Sequence, residues 1–348
     1  MVGRTVGHAG FVVERSGTVP VEVLEELVAA AVLAPSSHNT QPWLFELHDG
    51  EIDLHADRIR ALPVNDPHDR ELTISCGCAL RNLELAAAEH GLAPTVSLLP
   101  DDGWPDLLAR VRLEPSPDGA PTDWSAARTA RRTTRGPFDN GSDGNGADDN
   151  GSGADPVDDG IAGELAASAA SFGVTAHLVE GEERELLADL VAEGDRAQFS
   201  DPHWRRELAS WMHPRRHGEG LVVPEVVGLA TRAVVSAFDL GRSTASKDHD
   251  LLADAPVVVV LATDVDDVPV WLDTGRALQQ MLLLATSYGL QAGYLNQPCQ
   301  VASLRGRLQQ LVPERRFPQV VLRLGPLAEQ LPATPRRELD DVIITPTA

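Results

Sequence analysis

Gly77-Cys78-Ala79-Leu80-Arg81-Asn82-Leu83-Glu84-Leu85-Ala86-Ala87, running on to Gly91-Leu92, returns at a constant offset as Gly275-Arg276-Ala277-Leu278-Gln279-Gln280-Met281-Leu282-Leu283-Leu284-Ala285, running on to Gly289-Leu290. Seven of the sixteen aligned positions are identical. Most of them fall on the apolar side of a helix that glycine ends. A strand pattern follows each copy, at 107–113 and at 320–324. Two generic amphipathic helices could agree this well by chance; the shared downstream strand favours duplication. The expectation is two related domains, 1–120 and 121–348.

Outward from the repeat the chain reads as mixed α and β. Residues 20–34 place Val23, Leu24, Leu27, Val28, Ala31 and Val32 at helical spacing. Residues 43–48 and 51–56 flank Asp49-Gly50, the two-residue turn of a β-hairpin. The unbroken run Val257-Val258-Val259-Val260-Leu261 predicts a central strand buried on both faces. Residues 319–324 predict another, closed by Gly325-Pro326.

The chain has 348 residues, 43% of them hydrophobic, which suffices for a sizeable core and argues against wholesale disorder. Acidic residues outnumber basic ones 52 to 29, for a net charge of −23. That field repels nucleic acid and anionic membrane surfaces. No run approaches the length of a spanning helix, and Met1-Val2-Gly3-Arg4 opens no apolar signal core, so a soluble cytoplasmic protein is expected. Three cysteines (Cys76, Cys78 and Cys299) make neither a disulfide framework nor a four-thiolate zinc site. His213 and His217 have metal-like spacing, but Pro214 interrupts the helix that the spacing needs, and no metal is expected. The segment 139–160, with seven Asp, six Gly and no basic residue, is expected to form a mobile surface loop.

Several common chemistries are missing. There is no P-loop, no dinucleotide-binding G-x-G-x-x-G after a strand, and no G-x-S-x-G elbow. Two segments remain. Pro35-Ser36-Ser37-His38-Asn39-Thr40-Gln41-Pro42-Trp43 is a stiff polar turn between a helix and a strand, bracketed by prolines. Arg131-Arg132-Thr133-Thr134-Arg135-Gly136-Pro137-Phe138 sets three arginines among hydroxyls, a donor set suited to a phosphate or carboxylate. By composition alone the first reads as an ordinary polar connection, and the second could equally be a surface charge cluster neutralised by nearby Asp.

Together these segments resemble the two signatures of the FMN-dependent nitroreductases. Asp69 to Gly77, Tyr294-Leu295-Asn296-Gln297-Pro298 and Pro335-Arg336-Arg337 add to the likeness, which covers nearly the whole chain apart from the acidic segment. The order of the two signatures is reversed relative to ordinary members. That arrangement resembles the Acg-like branch, in which two nitroreductase-like domains are fused. The resemblance implies an α+β fold of two such domains, each a mixed, mainly antiparallel sheet flanked by helices in three layers.

It also implies one FMN per chain. Residues 10–17 lack the arginine signature, and 170–175 (Ala170-Ser171-Phe172-Gly173-Val174-Thr175) stands where a second Pro-Ser turn would be. One complete site across the domain interface, with a degenerate twin, is therefore expected. In the family's manner Arg131, Arg132, Thr133 and Arg135, with Arg336 or Arg337, would hold the phosphate. Pro35, Ser36, Ser37, Asn39 and Gln41 would contact the flavin ring, and Asn296 and Gln297 its N5 side. No catalytic acid or base is expected, because the flavin carries the hydride.

The implied activity is hydride transfer from NAD(P)H through FMN to a nitro-aromatic, quinone or similar small acceptor. The alternative is a protein that sequesters or senses FMN beneath a lid, for which 198–220 is the candidate. A third reading, a flavin-free interaction module, requires both segments to be empty. Internal duplication leaves both a monomer and a homodimer open.

The basic residues are one lysine (Lys247) and 28 arginines, against 30 Asp and 22 Glu. This reflects either GC-rich codon usage or a high-salt cytoplasm, where salt screens a dense carboxylate surface. If salt is the cause, the melting temperature falls on dialysis into low salt; a melting temperature indifferent to salt contradicts it.

Overall fold

The computed structural model describes residues 19–116, 123–139, 157–213, 218–222 and 241–344. Residues 10–17, most of the acidic segment, His217 and the 120/121 boundary lie outside the described residues. Pro20 opens helix α1 (Val21–Ala31), whose Val23, Leu24, Leu27, Val28 and Ala31 are buried as their spacing predicts. The hairpin forms as read: β1 (Trp43–His48) and β2 (Glu51–Ala56) join through Asp49-Gly50, with Gly50 at φ +70°. Helix α2 (Arg70–Glu89), β3 (Leu92–Leu98) and β4 (Leu107–Pro115) complete the first half.

The second half begins with α3 (Ser125–Ala130), α4 (Asp159–Ala170) and β5 (Thr175–Leu178). Helices α5 (Gly181–Ser200) and α6 (Pro202–Ser210), the short strands β6 (Met212–His213) and β7 (Leu221–Val222), and helix α7 (Gly241–Ala253) follow. Next come β8 (Val257–Thr263), α8 (Val268–Ser287) and β9 (Leu290–Tyr294). Helices α9 (Gln297–Gln300) and α10 (Ala302–Leu311), then β10 (Phe317–Pro326) and β11 (Ile343–Ile344), end the described chain.

This is an α+β fold with two main sheets. Their orders are β11-β1-β2-β4-β3 and β5-β8-β10-β9. Apart from β11, each sheet takes its strands in the order first, second, fourth, third, all antiparallel. A long helix, α2 or α8, leads into the third strand of each. The halves differ by insertion: Asp49-Gly50 joins the first two strands of one sheet, whereas residues 179–256 separate those of the other. Strand β11 pairs parallel to β1, so the first sheet takes a strand from beyond residue 121.

Strand β8 is buried along its length, as its unbroken apolar run predicts. Val257, Val259 and Leu261 join the core shared with α2 and α8, while Val258 and Val260 join a second core with α5 and α10. Edge strands β3 and β9 are not evident from the sequence. Pro94 interrupts the first pattern, and an edge position is where a sheet tolerates proline.

The repeated helices cross at the glycines that open each copy. A Cβ on Gly275 would lie 2.0 Å from the Ile74 carbonyl oxygen, and one on Gly77 2.2 Å from that of Leu272. Beyond the crossing the contacts are reciprocal. Arg81 donates to Gln280 Oε1 at 2.8 Å, and Gln279 donates to Asn82 Oδ1 at 2.7 Å. In the repeat Arg81 aligns with Gln279 and Asn82 with Gln280, so each pair is the other with the copies exchanged. Such reciprocity is the mark of a two-fold relation.

Gly275→Ala and Gly77→Ala should each lower stability by at least about 2 kcal/mol, because the added carbon meets backbone that cannot yield. Gly306→Ala, with nothing within 4 Å of its Cβ, should be neutral or stabilise by up to about 1 kcal/mol. Chemical denaturation of the three variants checks the contrast.

Candidate active site

The Pro35–Pro42 turn is held in an unusual backbone. His38, Asn39 and Gln41 all have positive φ, at 50°, 54° and 52°. Its own side chains maintain it: Ser36 Oγ accepts from Gln41 N at 2.9 Å, and Ser37 Oγ donates to the buried Glu71 at 2.6 Å. Gln300 Nε2 also donates to Glu71, at 2.9 Å, and Gln198 donates to Gln300 Oε1. A chain of bonds thus runs from α5 through α9 and α2 to the turn. Gln41 is fully buried; its amide donates to Gly218 O, and its Oε1 accepts from Arg337 N at 2.9 Å. Asn39 donates to Gly220 O and Pro335 O, both at 3.3 Å.

Three arginines gather where α1 ends. Arg336 donates to Val32, Leu33 and Ala34 carbonyls at 2.8–3.1 Å, the carbonyl-rich end of the helix. Arg131, 6% exposed, donates to the same Leu33 oxygen at 3.1 Å, and its Nε is buried with no partner. Arg132 donates to Leu331, Thr129 and Arg131 carbonyls. Among the described residues no carboxylate pairs with any of the three. Burial, with Arg131 and Arg132 nearby, pushes the Arg336 guanidinium down to about 9. Thr133 bridges to Ala292 of β9 and lies 3.5 Å from Arg131. Arg337 goes elsewhere: it pairs with Asp57 at 3.3 Å and donates to Gln41 and Trp43 carbonyls.

A second bank faces these residues from β9, α9, α5 and α7. Gln297 Nε2 donates to Asp195 at 3.0 Å and Asp248 at 2.9 Å, while its Oε1 is buried without a partner. Burial, with Asp248 beside it, pushes the Asp195 carboxyl up to about 7, and burial also raises Asp248. Arg135 lies within electrostatic reach of Asp248 and of His38, whose imidazole is pushed down to about 4 by burial and then by Arg135. Tyr294, within electrostatic reach of Arg131, has a buried hydroxyl with no partner. Asn296 Oδ1 is occupied by Val321 N at 2.8 Å.

Of the described residues in 198–220, Gly218 and Gly220 lie against the turn, while α6 lies against Val64 and Asn65. Trp204 Nε1 donates to Asn65 at 2.8 Å, and Glu207 accepts from Val64 N and Asn65 N at 2.9 and 2.8 Å. A Cβ on Gly218 (φ +80°) would lie 2.6 Å from Arg336 O, so only glycine passes there. Between α6 and residues 59–64 opens a cavity of about 630 Å³ lined by Ile59, Val64, His203, Trp211 and Glu219. The segment Ala170-Ser171-Phe172-Gly173 ends α4, and Phe172 lies under the Arg81 and Arg276 guanidiniums at 5.3 and 4.8 Å.

Comparison with known proteins gives the family. The nitroreductase family model matches residues 15–70 and 176–324, which include the Pro-Ser turn and the Gln297 bank, whereas Arg131 to Arg135 and Arg336 fall outside the matched segments. The chain belongs to the nitroreductase family. A protein of Mycobacterium tuberculosis H37Rv described as "Putative NAD(P)H nitroreductase Rv3131" is 30% identical over 334 residues, 93% of this chain and 92% of its own. "Putative NAD(P)H nitroreductase acg" of the same strain is 28% identical over 342 residues, 93% of this chain and 96% of its own. The FMN-dependent nitroreductase NfnB from Mycobacterium smegmatis in complex with NADPH covers 63% of this chain and 97% of its own. It is 16% identical, with a TM-score of 0.40, a likeness that carries no argument.

Buried polar residues that the sequence patterns do not single out stand around the candidate site of this family member. Arg323, 1% exposed, lies 4.5 Å over the Phe138 ring and donates to Gly136 O, with its Nε and Nη1 unpartnered. Gly293 leaves the room beneath it: a Cβ there would stand 2.8 Å from Arg323 Nε. The available signal was an arginine inside the apolar strand 319–324. Asp195 and Asp248 carried none, since acidic residues are abundant in this chain.

Asp195 sets a pH dependence. Between the ordinary carboxyl range and about 7 the unfolded chain has released this proton while the folded chain keeps it, so stability falls as pH rises across that window. Asp195→Asn should flatten the fall and raise the melting temperature at pH 8 but not at pH 4, as thermal melts across pH will show.

Proposed function

We propose that the protein is an FMN-dependent oxidoreductase that takes hydride from NAD(P)H and delivers it to a nitro-aromatic, quinone or similar small acceptor. The observation that carries this reading is the buried guanidinium of Arg131 beside that of Arg336 at the end of α1, with no carboxylate paired to either among the described residues. A phosphate dianion there relieves their mutual repulsion and satisfies Arg131 Nε. The donor set fits the group: Arg131, Thr133 and Arg135 offer donors, while Arg336, spent on helix carbonyls, positions Arg131. Arg337 anchors Gln41 and the turn. Ser36, Ser37, Asn39 and Gln41 present the turn's backbone, and Gln297 presents its unpartnered Oε1 from the opposite bank.

When bound, FMN supplies the two-electron chemistry; the chain supplies position, charge and exclusion of water. Asp195 and Asp248 hold the Gln297 amide. The two sheet units are read as two nitroreductase-like domains, divided near residue 120, that form one site between them. The degenerate twin is read at Phe172, whose ring lies under two arginines. FMN is one per chain, in a cytoplasmic monomer or homodimer.

The bonds of Gly218 and Gly220 to the Pro-Ser turn favour one second reading, in which the segment 198–220 covers a sequestered flavin that does not turn over. Anaerobic stopped-flow mixing with NADH and NADPH separates the two. Rapid bleaching of the flavin band supports the oxidoreductase, and reduction by dithionite alone supports sequestration. Arg131→Ala should weaken FMN binding by roughly 10- to 100-fold, the worth of a charge-assisted bond in a buried site, read by fluorescence titration. Unchanged affinity removes Arg131 from the site.

A further inference from the structure

The outer face of the β1–β2 hairpin carries a cluster that the proposed function does not use. Side chains alternate along a strand, and Glu46 stands directly across from Asp53, with His48 opposite Glu51 and His55 opposite Leu44. Glu46, His48, Asp53 and His55 therefore share one face, and the pattern Glu-x-His, Asp-Gly, Glu-x-Asp-x-His is legible in residues 46–55.

Glu46 is 9% exposed and Asp53 2%, and buried like charges in direct cross-strand register repel. Asp53 is neutralised by Arg110, which donates to both its oxygens at 2.7 and 2.6 Å. Glu51 is paired with Arg112 at 2.7 Å. Among the described residues no guanidinium pairs with Glu46. Around it stand His48 Nε2 at 3.9 Å and His55 Nε2 at 3.3 Å, both buried nitrogens without a hydrogen-bond partner. His55 is itself 7% exposed, with the Trp104 ring 6.4 Å away. His48 Nε2 lies 3.4 Å from Asp53 Oδ2, and ligand atoms of Glu46, His48 and Asp53 all fall within 4.8 Å of one another.

We propose that Glu46, His48 and Asp53 bind one divalent transition-metal ion of zinc type, with His55 and Arg110 orienting the two carboxylates. Ligands at about 2.1 Å in a tetrahedral array stand roughly 3.4 Å apart, and the His48 distances of 3.4 and 3.9 Å need little adjustment to reach it. A proton on one imidazole satisfies one nitrogen; a cation at the point of convergence meets three ligands at once. His55 and Arg110 then play the orienting role that outer partners play at known metal sites. Three protein ligands leave a position for water. This face is distinct from the Arg131 and Gln297 banks, so the metal does not depend on the flavin reading.

The test uses the full-length protein, stripped with a chelator and titrated with Co²⁺. One equivalent per chain should give the visible ligand-field bands of a low-coordinate site, and Zn²⁺ should displace them. His48→Ala, on the third-exposed rim of the cluster, should weaken Co²⁺ binding at least tenfold. Glu46→Gln should abolish the rise in melting temperature that Zn²⁺ gives the parent, which keeps the test open if His48→Ala does not fold. Absence of bands in the parent, equal bands in a folded His48→Ala, or no Zn²⁺-dependent rise in melting temperature overturns the proposal.

Discussion

Helices α2 and α8 touch backbone to backbone where Gly77 meets Gly275, and both banks of the candidate site hang from that contact. The N-terminal turns of α2 present Glu71 and Ser75 to the Pro-Ser turn, where Ser37 bonds to both. Helix α8 leads into β9, whose Ala292 receives Thr134 N at 2.8 Å and so fixes the arginine segment, and beyond which Gln297 begins α9. A side chain at either glycine would push the helices apart and separate the turn from the arginines. A protein interior packed at crystal-like density has little slack to absorb that shift.

What the crossing assembles is electrostatically uncomfortable. Two guanidiniums, those of Arg131 and Arg336, share the carbonyl-rich end of one helix with Arg132 nearby, in a chain whose net charge of −23 offers acids nearly everywhere else. The opposite bank holds two carboxyls whose burial favours their protonated form, joined through one amide. Each bank carries polar atoms without partners. Arrangements of this kind cost stability and are typical of sites built for a ligand rather than for the fold.

Much of the fold was legible because local signals agreed with tertiary need. The Asp49-Gly50 hairpin, helix α1 and strand β8 each have a periodicity that only one environment satisfies. The repeat marked the two helices that cross, although sequence alone could not show that their first glycines meet. Edge strand β3 escaped because Pro94 interrupts its pattern, and β9 because five residues that include Gly293 carry little alternation. The site was legible where unusual residues cluster, as in 131–135 and 35–43. It was not legible where a common residue sits in an uncommon place: Arg323 in a buried strand, Asp195 on a helix, and Glu46 directly across from Asp53. Nor could sequence show that Arg336 and Arg337, adjacent in the chain, point to different partners. Among the described residues, no helix is long and apolar enough to cross a membrane.

The central claim is that one chain builds one flavin site from two unequal halves. Its most direct test is the visible spectrum of the purified protein, with the extracted chromophore identified and counted against chain concentration. The account predicts a yellow protein with close to one FMN per chain. A colourless protein that does not take up added FMN, or one that binds two, would contradict it.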